Sequence, residues 1–146
     1  MKVGTPQTIA VAVAQDADVL SSVNMAFEQG IAKAILVGDK SEIEKIAPTV
    51  GMNLQNFEVI DVKDKTEACT EAIKLVSQGR ADLPMKGFVD TSIILRAILS
   101  EDAQLTTGGT ITHIGLLHVP GFDRMFLLSD SAMLLAPTLE QKVDMI

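Results

Sequence analysis

Apolar stretches with strand character alternate with amphipathic helical stretches over residues 8–100. The strands are predicted at residues 8–14, 33–39, 56–62 and 81–85, and a helical pattern follows each of them. Connections that each contain a helix join parallel strands by right-handed crossovers. The sequence therefore predicts an α/β fold with a parallel sheet and helices on both of its faces.

Beyond the fourth helix the pattern changes. Two apolar stretches, 111–119 and 125–128, are separated by only five residues, Pro-Gly-Phe-Asp-Arg. This length suits a hairpin and is too short for a parallel crossover, so we expect an antiparallel pair appended to the parallel sheet. A last helix is predicted to begin at residues 137–140. With 146 residues, the chain is predicted to form one α/β domain spanning residues 1–146.

Composition narrows the classes of partner. The chain has 19 acidic and 12 basic residues, a formal net charge of −7, and no basic run, which argues against nucleic acid and anionic membranes. Its single cysteine, Cys69, excludes an intrachain disulfide and favours a reducing, cytoplasmic location. No apolar run approaches the length of a membrane span. The 47% content of hydrophobic residues favours self-association, so we expect a homo-oligomer.

The segment ADLPMKGFVDTSIILRAILS, residues 81–100, contains the strongest candidate site. Lys86 and Gly87 follow the fourth strand, and the next helix is predicted to start near Thr91. A lysine, a residue without a Cβ and the positive end of a helix dipole would then meet, which suits a phosphate or a carboxylate. Arg96 lies further along the helix and suits a second anionic group. On spacing alone, an ordinary capped turn between strand and helix is the favoured explanation of the segment.

Other motifs are less informative. The sequence contains neither G-x-G-x-x-G nor G-x-x-x-x-G-K-[ST], which argues against the usual dinucleotide and P-loop sites. His113 and His118 are predicted on opposite faces of one strand, so they do not form a joint metal site, and no metal is expected. Asp130, between Ser129 and Ser131, suits a helix cap, a ligand contact or a proton acceptor, and its spacing favours the cap.

Two segments carry a resemblance to a known family. The motifs M-K-G-x-V-D-T, at residues 85–91, and D-x-A-M-x-x-x-P-T-x-E-Q-K, at residues 130–142, resemble the phosphate acetyl/butyryltransferase family. The chain is most similar to the phosphate butyryltransferase branch, and the early segment QDADVL also matches the family. The resemblance covers essentially the whole chain.

The resemblance implies acyl transfer from coenzyme A to inorganic phosphate, which gives an acyl phosphate. Butyryl or another short or branched acyl group is expected, with acyl-CoA and phosphate as partners and no cofactor besides CoA as substrate. It also implies a fold like that of isocitrate and isopropylmalate dehydrogenases. The positions that match the family's substrate-binding segments are Lys86, Gly87, Thr91, Arg96, Ser129, Asp130 and Pro137.

The serine and aspartate to which the family's catalytic roles are usually given have no counterpart in this chain, so no catalytic residue is assigned. We expect the chain to correspond to the amino-terminal part of a longer two-domain acyltransferase and to be catalytically incomplete alone. A truncated, non-catalytic module that binds CoA or acyl phosphate is the alternative interpretation. A regulatory or scaffolding domain that binds neither ligand is a third.

Overall fold

A computed structural model describes residues 5–106 and 108–146 of the chain. The chain divides into two compact units, Met1–Leu105 and Thr106–Ile146. Each unit is described by itself below.

The first unit contains the four predicted strand-helix repeats. Its elements are β1 (Gln7–Ala12), α1 (Ala17–Glu28), β2 (Ala32–Gly38), α2 (Lys40–Ile46), β3 (Glu58–Asp61), α3 (Lys65–Ser77), β4 (Leu83–Lys86) and α4 (Thr91–Ile98). Short 3₁₀ turns cover Ala47–Val50, Leu54–Asn56 and Glu101–Ala103. The prediction of four repeats is confirmed, although β3 and β4 have only four residues each.

The four strands form one parallel sheet in the order β3-β2-β1-β4. Because side chains alternate along a strand, β1 contributes to two cores. Ala10 and Ala12 pack with residues of α3 and α4 on one face, whereas Ile9 and Val11 pack with residues of α1 and α2 on the other. Helices therefore cover both faces, as predicted.

The strand order determines where the connections diverge. The chain moves from β1 outward through β2 to β3 and then returns to place β4 on the other side of β1. In open parallel sheets, ligands bind at the carboxyl ends of the strands beside such a switch in direction. The edge formed by the ends of β1 and β4 is therefore the first place to look for a site.

Three helices of this unit start in the same way. Asp16, Asp39 and Asp64 precede α1, α2 and α3, and each carboxylate accepts two backbone N–H groups of its helix. Such caps stabilise a helix by about 1 kcal/mol each. Asp90 occupies the same position before α4, but its side chain makes no capping hydrogen bond.

The second unit contains β5 (Gly115–His118), β6 (Met125–Leu128) and α5 (Leu139–Asp144). The two strands pair antiparallel, with Leu116 opposite Leu127, which confirms the predicted hairpin. The expectation that this pair extends the parallel sheet is wrong: the hairpin is a two-stranded sheet of its own. The reason is that each of these strands forms its backbone ladder only with the other, within the described residues. Strand β5 is also shorter than predicted, since pairing begins only at Gly115.

Within residues 5–106 and 108–146, the helices are all too short or too polar to cross a lipid bilayer.

Candidate functional site

The turn between β4 and α4 is attached directly to the end of β1. The Gly87 N–H donates to the Ala12 carbonyl at 2.8 Å, and the Phe88 N–H donates to the Val13 carbonyl at 3.1 Å. These bonds continue the β1–β4 ladder past the end of β4. The predicted Lys-Gly turn therefore lies at the switch in strand direction.

Gly87 is required by this attachment. A Cβ at this position would collide with the Val13 carbonyl and lie 2.6 Å from the Ala12 oxygen. Val13 itself has φ of +58°, which is unusual for a β-branched residue and places strain in the adjoining turn. The structure thus uses the missing side chain of Gly87 to let two backbone segments meet, whereas the sequence suggested close approach of an anion.

Lys86 curls over its own turn. Its ammonium group donates to the Val89 carbonyl at 2.8 Å and to the Gly87 carbonyl at 3.4 Å. An ammonium group has three N–H donors, so these two bonds leave one for a ligand. Lys86 therefore both stabilises the turn and offers a cation at the sheet edge.

Helix α4 starts as predicted at Thr91. The Asp90 backbone carbonyl accepts the Ile93 N–H at 3.0 Å, but the carboxylate of Asp90 leaves the first amide groups of the helix without a side-chain cap. This distinguishes α4 from the three helices before it.

A cleft of about 290 Å³ opens beside this turn. Its lining residues are Lys65, Lys86, Phe88, Val89, Asp90 and Ile93. The cleft thus brings Lys86 together with the start of α4, and it adds a second cation that sequence reasoning missed.

That second cation is Lys65, the first residue of α3. Its ammonium lies 5.5 Å from the centre of the Phe88 ring and 3.5 Å from the Phe88 carbonyl oxygen. A lysine at the positive end of a helix dipole is electrostatically unfavourable, and this was the one signal in the sequence that could have drawn attention to it.

Arg96 lies elsewhere. It lines a separate cavity of about 280 Å³, together with Thr66 and Thr70 of α3 and Ser100 and Asp102 after α4. Ile93 lines both this cavity and the cleft. The predicted second anion contact therefore lies more than one helical turn beyond Thr91 along α4 and lines a cavity that Lys86 does not line.

The remaining candidates belong to the second unit. Both carboxylate oxygens of Asp130 accept backbone N–H groups, from His113 at 3.3 Å, Ala132 at 3.0 Å, Met133 at 3.1 Å and Leu134 at 2.7 Å. The hydrogen bond from Ala132, followed by those from the other amides, lowers the pKa of Asp130 below its ordinary value. The residues that follow Asp130 form a turn, and the next helix among the described residues begins only at Leu139 with Thr138 as its cap. The carboxylate therefore organises a turn, and the prediction of a helix cap at Asp130 is wrong.

Ser129 and Pro137 are the other two candidates in this unit. The Ser129 hydroxyl lies 3.8 Å from the Met145 sulfur, and Pro137 precedes Thr138, whose side chain caps α5.

The described residues contain no group of three histidine, cysteine, aspartate or glutamate side chains that could hold a metal ion. Cys69 is fully buried in the core under α3, and desolvation raises the pKa of its thiol. It does not line the cleft.

Comparison with known proteins defines the class to which this fold and site belong. Residues 1–73 match the family model described as phosphate acetyl/butaryl transferase. This match covers half of the chain, and the chain therefore belongs to that family.

Particular relatives extend the similarity along the chain. The phosphate butyryltransferase of Clostridium beijerinckii is 46% identical over 94% of this chain and 46% of its own length. The phosphate acetyltransferase of Thermotoga maritima is 36% identical over 98% of this chain and 48% of its own length. The chain spans about half the length of the curated relatives it matches.

A solved structure shares the fold. The branched-chain phosphotransacylase from Enterococcus faecalis superposes with a TM-score of 0.78 and is 23% identical, over 94% of this chain and 48% of that one.

Proposed function

We propose that this chain contributes to a phosphate acyltransferase that moves a short acyl group from coenzyme A to inorganic phosphate, giving an acyl phosphate and free CoA. Its family membership, with phosphate butyryltransferases among the relatives, is the observation that carries this proposal. Butyryl or another short or branched chain is the proposed acyl group, as those names suggest.

Several finer points belong to the same proposal. CoA acts as a substrate and no further cofactor is involved. The chain supplies one part of a longer enzyme, which its coverage of only about half of the relatives' length supports. That enzyme is proposed to have two domains and a fold like that of isocitrate and isopropylmalate dehydrogenases. The enzyme works in the cytoplasm as a homo-oligomer.

The cleft beside Lys86 supplies what phosphate needs in this reaction. A phosphate oxygen attacks the thioester carbon, the new C–O bond forms, and the C–S bond breaks with its electron pair leaving on the CoA sulfur. Phosphate is a mixture of the monoanion and the dianion at neutral pH, so a fixed cation and amide donors hold and orient it before attack. The ammonium of Lys86 and the uncapped amides at Thr91 are these groups. Arg96 suits a second phosphate group, either on the nucleophile or on CoA.

A chimera tests the activity. This chain replaces the matched segment of the Clostridium beijerinckii enzyme, and thioester loss from butyryl-CoA is followed by ultraviolet absorbance with and without phosphate. Phosphate-dependent turnover supports the proposal. A folded chimera that binds CoA without turnover supports the binding module instead, and one that binds neither ligand supports a scaffold.

Lys86→Ala tests the assignment of the phosphate site. We expect phosphate to bind roughly ten- to a hundredfold more weakly, because one charge-assisted hydrogen bond is lost. Thr91→Ala should have a smaller effect, since the backbone amides remain. Lys33→Ala is the matched control, because Lys33 is an exposed lysine at the first residues of β2, at the opposite end of the strands. Thermal unfolding of each variant separates loss of binding from loss of the turn, and unchanged phosphate affinity in Lys86→Ala contradicts the assignment.

A further inference from the structure

Three charged side chains line the cleft without neutralising one another. Lys65 and Lys86 are cations and Asp90 is an anion. No ion pair among the described residues joins Asp90 to either lysine. The Asp90 carboxylate also makes no capping bond to α4, although Asp16, Asp39 and Asp64 cap their helices. The Asp90 carboxylate is therefore available to a ligand, as are the N–H donors of Lys65 and Lys86 that the turn carbonyls do not use.

Their combination selects for an unusual kind of ligand. Two ammonium groups attract an anion, but an ionised carboxylate has only acceptors and repels an anion that has nothing to donate. An anion that also carries a hydrogen satisfies all three groups, because its O–H donates to the carboxylate while its other oxygens accept from the lysines. Hydrogenphosphate has this composition, and sulfate has similar size and charge but no hydrogen at neutral pH.

We propose that Asp90 is a specificity-determining residue that accepts a hydrogen bond from the P–O–H of hydrogenphosphate, while Lys65 and Lys86 hold the other oxygens. The proposal rests on the proposed function, because it concerns the phosphate used there as nucleophile. It adds a second cation and the means by which phosphate is distinguished from other tetrahedral dianions.

The expected discrimination follows from hydrogen-bonding rules. A site built to pair with a ligand hydrogen rejects an analogue without that hydrogen, since its own polar group then stays unpaired beside a like charge. A charge-assisted hydrogen bond of this kind corresponds to roughly ten- to a hundredfold in affinity. Phosphate should therefore bind at least about tenfold more tightly than sulfate.

The position of Lys65 supports its part in the proposal. As the first residue of α3 it lies at the positive end of that helix, where a cation is unfavourable. Its ammonium lies 5.5 Å from the centre of the ring of Phe88, a residue that is 65% exposed. No ion pair among the described residues joins Lys65 to a carboxylate. A bound dianion would offset both the helix dipole and the neighbouring charge of Lys86.

The test measures two affinities for each variant of the full chain. Inorganic phosphate and sulfate are titrated separately at neutral pH and constant ionic strength, and binding is followed by the amide chemical shifts of residues 88–92. Wild type is compared with Asp90→Asn and Lys65→Met, and with Lys33→Met, which removes the same charge at the opposite end of the strands.

The variants should differ in which anion they bind more weakly as well as in how much affinity they lose. Asp90→Asn should weaken phosphate about tenfold or more and leave sulfate unchanged or tighter, since the carboxylate no longer repels it. Lys65→Met should weaken both anions by a similar factor and keep their ratio. Lys33→Met should leave both affinities near wild type.

Three results overturn the proposal: no phosphate binding to the wild-type chain, equal wild-type affinities for phosphate and sulfate, or an Asp90→Asn variant that loses both anions equally. The last result is the one expected if Asp90 only maintains the turn. Failure of the proposed function gives a different pattern, because an inactive chimera combined with selective phosphate binding would contradict acyl transfer and leave the role of Asp90 standing.

Discussion

The two units use hydrophobic residues in opposite ways. In the first unit, apolar side chains of β1 and β2 are enclosed between helices, and Leu20, Leu36 and Ile43 are completely buried. In the second unit no described residue is buried, and the hairpin and α5 expose large apolar side chains such as Leu116, Leu127 and Val143. A sheet covered on both faces builds its own core, whereas two four-residue strands cannot.

The difference teaches that apolar sequence alone does not create a core. Both units contain strands of leucine, valine, isoleucine or methionine, but only in the first does the chain supply layers that cover them. The cleft with Lys65, Lys86 and Asp90 lies on that covered scaffold, where packing holds the starts of α3 and α4 in place.

The largest effect on the free energy of unfolding is expected when one leucine of each unit is replaced by alanine and the two losses are compared. Leu36→Ala should lower the free energy of unfolding by about 2 to 5 kcal/mol, because it leaves a cavity in a closed core. Leu127→Ala should change it by no more than about 0.5 kcal/mol, since that side chain is 74% exposed. Denaturant unfolding followed by circular dichroism measures both. Equal losses would break the comparison by revealing a core in the second unit.

A smaller effect on stability is expected when a glycine in the turn after β4 and a glycine in β5 are each replaced by alanine. Gly87→Ala should destabilise the chain by about 1 to 3 kcal/mol, because the new Cβ meets the Val13 carbonyl. Gly115→Ala is the matched control, since its Cβ would meet no atom closer than 3.8 Å. Thermal unfolding compares the two. If Gly87→Ala kept full stability but lost phosphate binding, the glycine would serve the ligand and not the backbone contact.

The smallest effect is local and depends on pH. The folded-state pKa of Asp130 is lowered, chiefly by the Ala132 N–H, so its carboxylate stabilises the turn above the ordinary value of 3.8. That stabilisation decreases as the pH falls below 3.8, and it is lost once the pH has passed below the lowered folded-state pKa of Asp130. The Leu134 amide shift, followed from pH 7 downward, should therefore move only in that acidic range.

Asp130→Asn provides the control for this titration, because its amide shift should not follow the same curve. A midpoint at or above the ordinary value would show that the four N–H bonds do not hold the carboxylate in solution.

Much of the first unit could be predicted because its signals are local. Strand and helix periods, and the connection lengths, indicated the parallel sheet. The start of α4 was predicted near Thr91, which is its first residue. The hairpin was predicted from a five-residue connection. The separation of this hairpin from the parallel sheet could not be predicted, because the pairing partners of an edge strand depend on backbone hydrogen bonds between distant segments.

The candidate site divides in the same way. Lys86 could be selected from sequence because it precedes a turn and a helix start in one continuous segment. Lys65 could be noticed from sequence only as a cation at a helix start. Its place in the same cleft as Lys86 could not be predicted, because it is 21 positions earlier in the chain and the two residues line one cleft only in the folded unit.

The sequence by itself determined the elements, their order and the class of family, since these follow from periodicity, turn residues and short motifs within single segments. Only the tertiary structure decided that Gly87 accommodates β1, that Arg96 opens on a different cavity from Lys86, and that Asp90 is not used as a cap. The first two depend on contacts or cavities shared by segments that are distant in the chain, and the third depends on the conformation of one side chain. Residue spacing carries no information about either.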